Sequence, residues 1–358
     1  MSATTVVHLI GSLDRGGAES VALDLCRRIP AGEVQQVFLC LSGRVGILAP
    51  SFETTGAIVE AMNIRSPIEA ARLVRAAVQR YRPDAVVSHV SLASGWLLTA
   101  AWTAGARIRI ARLHSVGDGR GNGFGRRAYR VVSRLLMVGF ATRIVAVSRS
   151  SLEFGLGRWA PFIRQGRSFV LGNGVDTERF APSVEVRSEG EPRVIHVGRG
   201  SPEKNRAALV PIFLALERTI RTRWWIVGPG DTADLGTLPG DRFEVLGDRS
   251  DVPSLLGRSD VLVLPSLREG LPGVILEALS TGVPVVASEL ETLRELATAL
   301  PGIRLVSPHA APEVWADAIA EVIALAHRDA EGLRSAVVDS DFAIERSVRD
   351  WRHLFGAR

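Results

Sequence analysis

Two basic residues lie in one loop in the middle of the chain. Arg199 and Lys204 stand in the sequence HVGRGSPEKN, after a β-branched run that favours a strand and before a helical pattern. Lys204 is the only lysine among the 43 basic residues, so chemistry that needs a primary amine must use it. An arginine fork and a lysine point charge at a strand end suit the two charges of a diphosphate. An ordinary solvated basic loop is the alternative.

Two glutamates eight residues apart follow a later strand, in the sequence REGLPGVILE. On a helix, Glu269 and Glu277 would lie about 12 Å apart along the axis and about 80° apart around it, beyond the roughly 5 to 9.5 Å of a glycosidase carboxylate pair. Such a pair suits opposite ends of one elongated, hydroxyl-rich ligand; two surface carboxylates favoured by the helix dipole are the alternative. Pro272 fits a first helical turn, so the predicted helix entrance is Gly270 to Gly273, and the candidate ligand-binding residues there are Gly270, Leu271, Pro272, Gly273 and Val274.

Two further positions near strand ends have residue types that could contact a ligand. Gly16 and Gly17, in the loop SLDRGGAE, allow a ligand to approach the backbone at a helix start, although they also suit a plain tight turn. His114 follows the run Ile108 to Leu113, where a histidine is often only a hydrogen-bonded polar residue. His89, at the end of another strand, matches no specific pattern.

The elements that position these residues form two alternating series of strands and amphipathic helices. Such alternation predicts parallel sheets with crossover helices, in two doubly wound α/β domains whose ligands bind beyond the carboxyl ends of the strands. A polar stretch from Phe180 to Pro192 predicts a linker. The predicted strands are 6–11, 36–41, 85–89, 108–113, 143–147 and 168–172, then 194–198, 224–228, 243–247, 260–265, 283–288 and 304–306. The predicted domains are residues 1–180 and 181–341, with 342–358 as a C-terminal helix packing back on the first domain.

Composition excludes several classes of protein. Cys26 and Cys40 are too few for a disulfide scaffold or a cysteine-rich metal site. No apolar run is long enough to span a membrane, and the N-terminus lacks a signal-peptide pattern. We therefore expect a soluble, cytoplasmic protein with no nucleic-acid partner. The one D-x-D, Asp339 to Asp341, falls between predicted terminal helices, so we expect no metal and no other cofactor.

Charge is divided unevenly along the chain. Residues 1–180 carry a net charge of +11 and residues 181–358 a net charge of −6. Between Gly119 and Leu152 there is no acidic residue, and Arg126, Arg130 and Arg134 fall on one face of a predicted basic helix. Such a helix could lie on the inner face of an anionic membrane, receive an anionic acceptor, or be an ordinary helix with solvated arginines.

The chain resembles the retaining nucleotide-sugar glycosyltransferases of family four, which have the GT-B fold of two facing Rossmann-like domains with a cleft between them. The resemblance extends over almost the whole sequence, and the spacing of the two glutamates is its most specific part. The motifs are GGAE at Gly16–Glu19, RLHS around His114, AVS at Ala146–Ser148, NGVD at Asn173–Asp176, GR…EKN at Gly198–Asn205, and LPS…EGLPGVILEA…GVPVVAS from Leu264 to Ser288.

The resemblance implies a role for each candidate residue. Arg199 and Lys204 would hold the donor diphosphate, Glu269 the hydroxyls of the transferred sugar, and Glu277 the ribose. Gly16 and Gly17 would close over the distal phosphate, and His114 would approach the sugar near its reacting face.

The implied reaction moves a hexosyl or N-acetylhexosaminyl group to a hydroxyl of a glycan, lipid-linked or small-molecule acceptor, with retention and without a metal. Uridine is the favoured nucleotide, with guanosine or adenosine as alternatives. The chain departs from the family at Glu289 to Ala297, where ELETLRELA replaces a glycine-rich turn. A nucleotide-sugar epimerase and a non-catalytic sugar-nucleotide binding protein remain alternatives.

Overall fold

The chain forms two compact units in a computed structural model that describes residues 3–117, 121, 123–157, 159, 163, 166–182, 190–325 and 329–356. The first unit contains Met1–Gly174 together with Ile344–Arg358, and the second contains Val175–Ala343. The predicted linker lies partly outside the described residues, which omit 183–189.

The first unit has a parallel sheet, seven-stranded over the described residues, in the order β3-β2-β1-β4-β5-β6-β7. Its inner strands are largely buried runs rich in Val, Ile and Leu, as expected for a sheet covered on both faces, whereas its two edge strands are short and partly exposed. They are β1 (Thr4–Ile10), β2 (Val34–Cys40), β3 (Ile58–Ala61), β4 (Ala85–Ser88), β5 (Ile108–Leu113), β6 (Arg143–Ala146) and β7 (Ser168–Val170). The helices are α1 (Gly17–Arg28), α2 (Ala49–Glu53), α3 (Pro67–Tyr81), α4 (Ser94–Thr103), α5 (Phe124–Phe140) and α6 (Arg149–Leu156), with α13 (Ile344–Phe355) from the end of the chain.

Local sequence explains where helices begin and end. At the start of α3, Ser66 accepts a hydrogen bond from the backbone of Glu69, and the Glu69 carboxylate accepts one from the backbone of Arg65, which forms a capping arrangement. The helix ends at Arg82, whose φ of 46° is left-handed. At α6, Ser148 caps the backbone N–H of Ser151.

The two faces of the first sheet bury different helices. On one face, side chains such as Val7 and Leu39 pack against α3, α4 and α5. On the other, Val6 and Val87 pack against α1 and α13. The final helix therefore belongs to the first unit's core.

The second unit has a parallel sheet, six-stranded over the described residues, in the order β10-β9-β8-β11-β12-β13. One face packs on α7 and α11, with Trp224 and Trp315 buried between them. The strands are β8 (Arg193–Val197), β9 (Arg223–Val227), β10 (Phe243–Gly247), β11 (Val261–Leu264), β12 (Val285–Ser288) and β13 (Ile303–Val306). The helices are α7 (Leu209–Leu216), α8 (Val252–Gly257), α9 (Gly273–Ser280), α10 (Glu291–Ala299), α11 (Pro312–Leu325) and α12 (Ala330–Val338).

Both sheets are doubly wound, because the strand order reverses once in each. The reversal lies between β1 and β4 in the first unit and between β8 and β11 in the second. Ligands of such sheets bind at this switch point, beyond the carboxyl ends of the strands. The predicted pair of Rossmann-like domains is confirmed, whereas the edge strand β3 was not predicted.

Candidate functional site

The predicted basic loop and the predicted glutamate motif lie on either side of the second unit's switch point. Arg199 and Lys204 follow β8, and Glu269 follows β11, which is the neighbouring strand. The backbone N–H of Leu267 donates to the carbonyl of Glu203 at 2.8 Å, so the two loops are joined directly. Residues distant in the sequence thus form one site.

Lys204 and Glu269 form an ion pair within this site. The Lys204 Nζ atom lies 2.7 Å from Glu269 Oε1, with side chains 17% and 9% exposed. Ser266, fully buried, donates its hydroxyl to the same Oε1 at 2.7 Å. Both bonds fall on one carboxylate oxygen, so Oε2 of Glu269 remains available for hydroxyl donors of a ligand.

Arg199 stands apart from this pair. Its side chain is exposed, and among the described residues it has no hydrogen bond or ion pair. Because Lys204 is neutralised by Glu269, Arg199 is the uncompensated positive charge of the loop. An incoming diphosphate would meet this charge first.

Two glycines after β9 bring the backbone close to the basic loop. Gly228 and Gly230 have φ values of 136° and 124°, which residues with a side chain rarely adopt. A Cβ at Gly228 would overlap the carbonyl of Gly198, and one at Gly230 would lie 2.9 Å from the Cα of Gly200. Sequence reasoning gave this GPG segment no role, although two glycines at a strand's carboxyl end were a usable signal.

A buried arginine fixes the other end of the same loop. Arg206 is 1% exposed and pairs with Asp234 at 3.3 Å. Asn205, in the left-handed conformation at φ 51°, donates to the carbonyl of Pro265 at 3.0 Å. These contacts hold the loop after β8 against those after β9 and β11.

The helix α9 begins at Gly273, with Pro272 at its N-cap. Glu269 therefore precedes the helix, and the helical separation predicted for the two glutamates is wrong. Glu277 is half-buried on α9, with its carboxylate 3.8 Å from where a Cβ on Gly273 would stand. Leu271 is buried, whereas Gly270, Gly273 and Val274 are partly exposed at the helix entrance.

The segment that departs from the family pattern also contributes to the site. Thr292, near the start of α10, is 2% exposed and donates its hydroxyl to the backbone carbonyl of Glu269 at 3.2 Å. Its side chain thereby fixes the backbone of the glutamate. Neither Thr292 nor Ser266 had a predicted role, because no local pattern links them to Glu269.

Gly16 and Gly17 lie at the start of α1 in the first unit, with Gly16 at the N-cap. A Cβ at Gly16 would overlap the Glu19 carboxylate, whereas one at Gly17 would meet open space. Glu19 therefore folds over the positive end of the helix dipole, where a carboxylate is favourable. An anionic ligand there would have to displace that side chain.

His114 directly follows β5, an internal strand of the first unit's sheet, at the carboxyl ends of the strands. Its Nε2 is 3.2 Å from Nδ1 of His89. Burial, with a smaller effect from the charge of Arg112, lowers the pKa of His114 to about 3. The imidazole is therefore neutral near pH 7.

The three predicted arginines of α5 are engaged within the first unit. Arg126 lies over the Tyr129 ring at 4.6 Å. Arg130 donates to the carbonyl of Gly121 at 3.4 Å and Arg134 to that of Phe154 at 2.7 Å.

The exposed side of α5 is apolar instead. Phe124 is 90% exposed, and Ala128, Val132 and Leu135 follow it at helical spacing. Arg127 is exposed beside them. The basic segment extends to Gly119, but residues 119, 120 and 122 lie outside the described residues.

Two features of the described residues bear on metals and membranes. They contain no group of three or more histidine, cysteine, aspartate or glutamate side chains that could hold a metal ion. Among them, no helix is long and apolar enough to cross a membrane.

Two families of known proteins match separate parts of the chain. Residues 15–179 match the sequence model of the family described as Glycosyltransferase Family 4. Residues 191–324 match that of the family described as Glycosyl transferases group 1.

Individual proteins are similar over different lengths. The Bacillus subtilis protein named 'Putative glycosyltransferase EpsF' is 28% identical over an alignment of 367 positions, which covers 96% of this chain and 94% of EpsF. The Escherichia coli enzyme UDP-Gal:alpha-D-GlcNAc-diphosphoundecaprenol alpha-1,3-galactosyltransferase is 33% identical over 146 residues, 34% of this chain and 36% of that enzyme. Anabaena HepE in complex with UDP or with UDP-glucose superposes with a TM-score of 0.79 and 20% identity, over 99% of this chain and 100% of HepE.

The two doubly wound units and these matches define a glycosyltransferase with the GT-B fold, as predicted. The match to the Glycosyltransferase Family 4 model lies largely in the first unit, and the match to the Glycosyl transferases group 1 model lies in the second.

Proposed function

We propose that this glycosyltransferase moves a hexosyl or N-acetylhexosaminyl group from a nucleoside-diphosphate sugar, with UDP as the favoured nucleotide, to a hydroxyl acceptor with retention of configuration. The observation that carries the proposal is the Lys204–Glu269 pair at the second unit's switch point. The pair supports the proposal because a primary amine, which can donate to phosphate oxygens, lies beside a carboxylate, which can accept from sugar hydroxyls. The choice of UDP is supported by the fold shared with HepE, which binds UDP and UDP-glucose.

Each donor contact follows from the chemistry of the side chain. Lys204 uses one of its three N–H groups on Glu269, so the others can donate to the diphosphate, and Arg199 adds a planar fork. Oε2 of Glu269 accepts from hydroxyls of the sugar. Glu277 accepts from the ribose.

The remaining donor contacts come from backbone groups and from the first unit. Gly270, Gly273 and Val274 offer backbone N–H groups at the entrance of α9, beside Leu271 and beside Pro272, which has no N–H. Gly16 and Gly17 approach the distal phosphate once the Glu19 side chain moves. His114 contacts the transferred sugar.

The reaction proceeds on one face of the sugar. The acceptor oxygen forms a bond to the anomeric carbon on the side from which the diphosphate leaves, and a departing phosphate oxygen takes the proton of the acceptor hydroxyl. The bond between the anomeric carbon and the diphosphate oxygen breaks with its electron pair on the diphosphate. Lys204 and Arg199 stabilise that charge, so we propose that no metal ion is needed.

A binding screen followed by product analysis tests the proposal. UDP-glucose, UDP-N-acetylglucosamine, GDP-mannose and ADP-glucose are titrated while the melting temperature is followed, because a ligand that binds only the folded state raises it. We expect a rise with a UDP-sugar that Lys204→Met reduces. The anomeric proton coupling of the product reports retention.

Two outcomes favour the alternatives. An epimerase converts the donor to a new nucleotide sugar without any acceptor, which mass spectrometry and proton NMR of the donor incubated alone would detect. A non-catalytic binding protein would bind the donor, yet no acceptor would elicit release of the nucleoside diphosphate. A flat thermal response to every nucleotide sugar would contradict the proposal.

We further propose that the acceptor is lipid-linked and that α5 rests on an anionic membrane. The apolar face with Phe124 and Leu135, beside Arg127, suits the headgroup region of a bilayer. The E. coli relative, whose name gives a diphosphoundecaprenol substrate, is similar over part of the chain.

Sedimentation with vesicles separates this idea from a soluble acceptor. We expect binding to vesicles that contain phosphatidylglycerol, weaker binding to pure phosphatidylcholine, and loss in Phe124→Asp. Trp102→Asp, at a half-exposed position on α4, is the control. Equal binding of Phe124→Asp and the wild type would rule out α5 as the contact.

A further inference from the structure

Four polar residues form a diagonal line across the first unit's sheet. In the strand register His8 pairs with Val87 and Val87 pairs with Ile110. His89 and His114 are thus two and four residues nearer the carboxyl edge than His8. Gln36 pairs with Val6, two residues behind His8. Steps of two keep all four side chains on one face of the sheet.

The three histidines are joined ring to ring. His8 Nδ1 lies 3.1 Å from His89 Nε2, and His89 Nδ1 lies 3.2 Å from His114 Nε2. Adjacent ring centroids are 5.4 and 5.5 Å apart. At the inner end, His8 stacks on Phe38 with centroids 4.4 Å apart. The line runs from the core to the sheet edge, where His114 is partly exposed.

All three imidazoles are neutral near pH 7. Burial lowers the pKa of His8 to about 3, a shift that the Gln36 side chain partly offsets. Burial lowers the pKa of His89 well below its usual value. Smaller contributions in the same direction come from His8 and His114, when these are protonated, and from the charge of Arg112. Arg112 is 1% exposed and lines the same small cavity as the histidines. Its fixed charge opposes protonation of His89 and His114.

Because all three imidazoles are neutral, their protons can be arranged along the line in only two ways. A neutral imidazole has one N–H and one acceptor nitrogen, and each N···N contact needs one proton. Either every histidine carries its proton on Nδ1, or every histidine carries it on Nε2. The outer nitrogen of His114 is therefore a donor in the first arrangement and an acceptor in the second.

The inner end of the line decides between them. Nε2 of His8 is buried, and although the Gln36 side chain lies near enough to offset part of the pKa shift, no polar atom of the described residues meets hydrogen-bond geometry with this nitrogen. A proton there would be a buried N–H without a well-formed hydrogen bond, which is rare in folded proteins and costly. The first arrangement avoids this cost.

We propose that His8 and His89 are positioning residues that hold His114 as the Nδ1–H tautomer, so that His114 offers its outer nitrogen as a hydrogen-bond donor. The role in catalysis rests on the proposed function: His114 donates to an oxygen of the sugar nucleotide, and the departing phosphate remains the base. The tautomer itself follows from the hydrogen-bond geometry and the neutrality of the three rings, and does not depend on the proposed function.

Nitrogen NMR of protein labelled with ¹⁵N-histidine tests the tautomer without any substrate. Long-range ¹⁵N–¹H correlations distinguish a protonated from an unprotonated ring nitrogen. We expect His8, His89 and His114 to be protonated on Nδ1 and unprotonated on Nε2, assigned by the signals lost in the single variants His8→Phe, His89→Phe and His114→Phe. A wild-type His114 that is protonated on Nε2, or on both nitrogens, would overturn the proposal.

The middle residue provides the second test. His89→Phe breaks the line and removes the restriction to one tautomer, so His114 should populate the Nε2–H tautomer, which a free imidazole favours, beside the Nδ1–H tautomer. His353→Gln, exposed on α13, should leave the His114 signals unchanged. An unaltered His114 tautomer in folded His89→Phe would show that the line does not control it. If His89→Phe does not fold, the wild-type spectrum still decides.

Kinetics then separate positioning from simple destabilisation. With a UDP-sugar that the enzyme turns over, we expect His89→Phe to lower kcat about tenfold or more while KM for the donor stays within about twofold. His89→Gln, which can restore one of the two hydrogen bonds, should recover part of kcat. Absence of turnover with any nucleotide sugar contradicts the proposed function and leaves the NMR result intact. A parallel rise in KM without loss of kcat contradicts the positioning role.

Discussion

The amine of Lys204 lies 2.7 Å from a carboxylate oxygen of Glu269, although 65 residues separate them in the sequence. Both side chains are largely shielded from solvent, so neither charge is satisfied by water alone. Lys204, predicted to bind the phosphate, and Glu269, predicted to bind the sugar, therefore already interact electrostatically when no donor is bound. A change to one of them alters the charge of the other's surroundings.

Replacing Lys204 by methionine should lower both stability and donor affinity. The Glu269 carboxylate would keep Ser266 but lose its counter-ion, which we expect to cost about 1 to 3 kcal/mol, less than for a fully buried pair. Chemical denaturation measures the first effect. Isothermal titration with UDP measures the second, for which we expect a loss of about tenfold.

Arg199→Met is the matched control for Lys204→Met. This exposed arginine has no partner among the described residues, so its loss should change stability by less than about 0.5 kcal/mol while still weakening UDP binding. If Lys204→Met were as stable as Arg199→Met, the ion pair would contribute nothing to the fold. If neither variant weakened UDP binding, the loop would not hold the diphosphate.

Gly228→Ala should disturb the site from the neighbouring strand. Its φ of 136° is unfavourable for alanine, and the new Cβ would overlap the carbonyl of Gly198. Together these effects should cost about 2 to 4 kcal/mol and weaken UDP binding, because the loop of Arg199 would be displaced. Denaturation and titration calorimetry measure the two effects.

Comparison with a substitution at a second glycine distinguishes the cost of backbone strain from the cost of steric overlap. Gly247 has a φ of 67°, and a Cβ there would meet open space. Gly247→Ala should therefore cost only about 1 kcal/mol and leave UDP binding unchanged. Equal costs for the two variants would mean that the close approach of Gly228 to Gly198 has no energetic role.

The architecture was largely readable from the sequence because buried parallel strands are continuous apolar runs. The run VVHLI of β1 and the run VLVL of β11 contain few polar residues, and both were predicted. The strand β3 was missed because its sequence IVEA is short, lies at the sheet edge and has an exposed Ile58. An edge strand covered by fewer neighbours has no strong apolar pattern.

Contacts across strands were not readable from the sequence. His8 lies inside an apolar run, and His89 and His114 each follow one, but their alignment depends on the register between β1, β4 and β5. Likewise, nothing local links Thr292 to Glu269. Local periodicity specifies which face a side chain occupies, not which residue of another strand or loop lies beside it.

Several of the arginines that give the first 180 residues their positive net charge serve the fold. Arg109 donates to the carbonyl of Phe140 at 2.6 Å, and Arg167 donates to that of Val138 at 2.8 Å, both near the C-terminal end of α5. Arg143 donates to the carbonyl of His353 near the end of α13. Cations at helix C-termini are favourable, so net charge alone overstated the surface available to a polyanion.

His196 should make stability fall as the pH is lowered. It is fully buried on β8, donates to the carbonyl of Val263 through Nδ1 at 3.0 Å, and burial lowers its pKa to about 3. Above about pH 6.5 the histidine is neutral in both the folded and the unfolded chain, so its contribution is constant. Between about pH 6.5 and 3 only the unfolded chain takes up the proton, which favours unfolding by about 2 kcal/mol at pH 5.

Denaturation of wild type and His196→Asn between pH 7 and 5 measures this contribution. Asparagine places a donor near the former Nδ1 position and does not titrate, so the pH dependence should become shallower even if the overall stability falls. His309→Asn, exposed in the same unit, should keep the wild-type slope. An unchanged slope in His196→Asn would mean that this residue is already charged in the folded protein.

Trp351→Ala should unfold the first unit more readily than any exposed change on α13. The indole is 3% exposed, packs on the sheet beside Phe355, and lies 5.0 Å from the guanidinium carbon of the buried Arg112. Its removal leaves a cavity and takes away the aromatic face beside that charge, so we expect a loss of about 3 to 5 kcal/mol. Arg349→Ala, at an exposed position of the same helix, should change stability by less than about 0.5 kcal/mol. Hydrogen exchange locates the effect: faster exchange in β1 and β4 of Trp351→Ala is expected because α13 covers that face, and unchanged protection there would show that the helix is not part of the first unit's core.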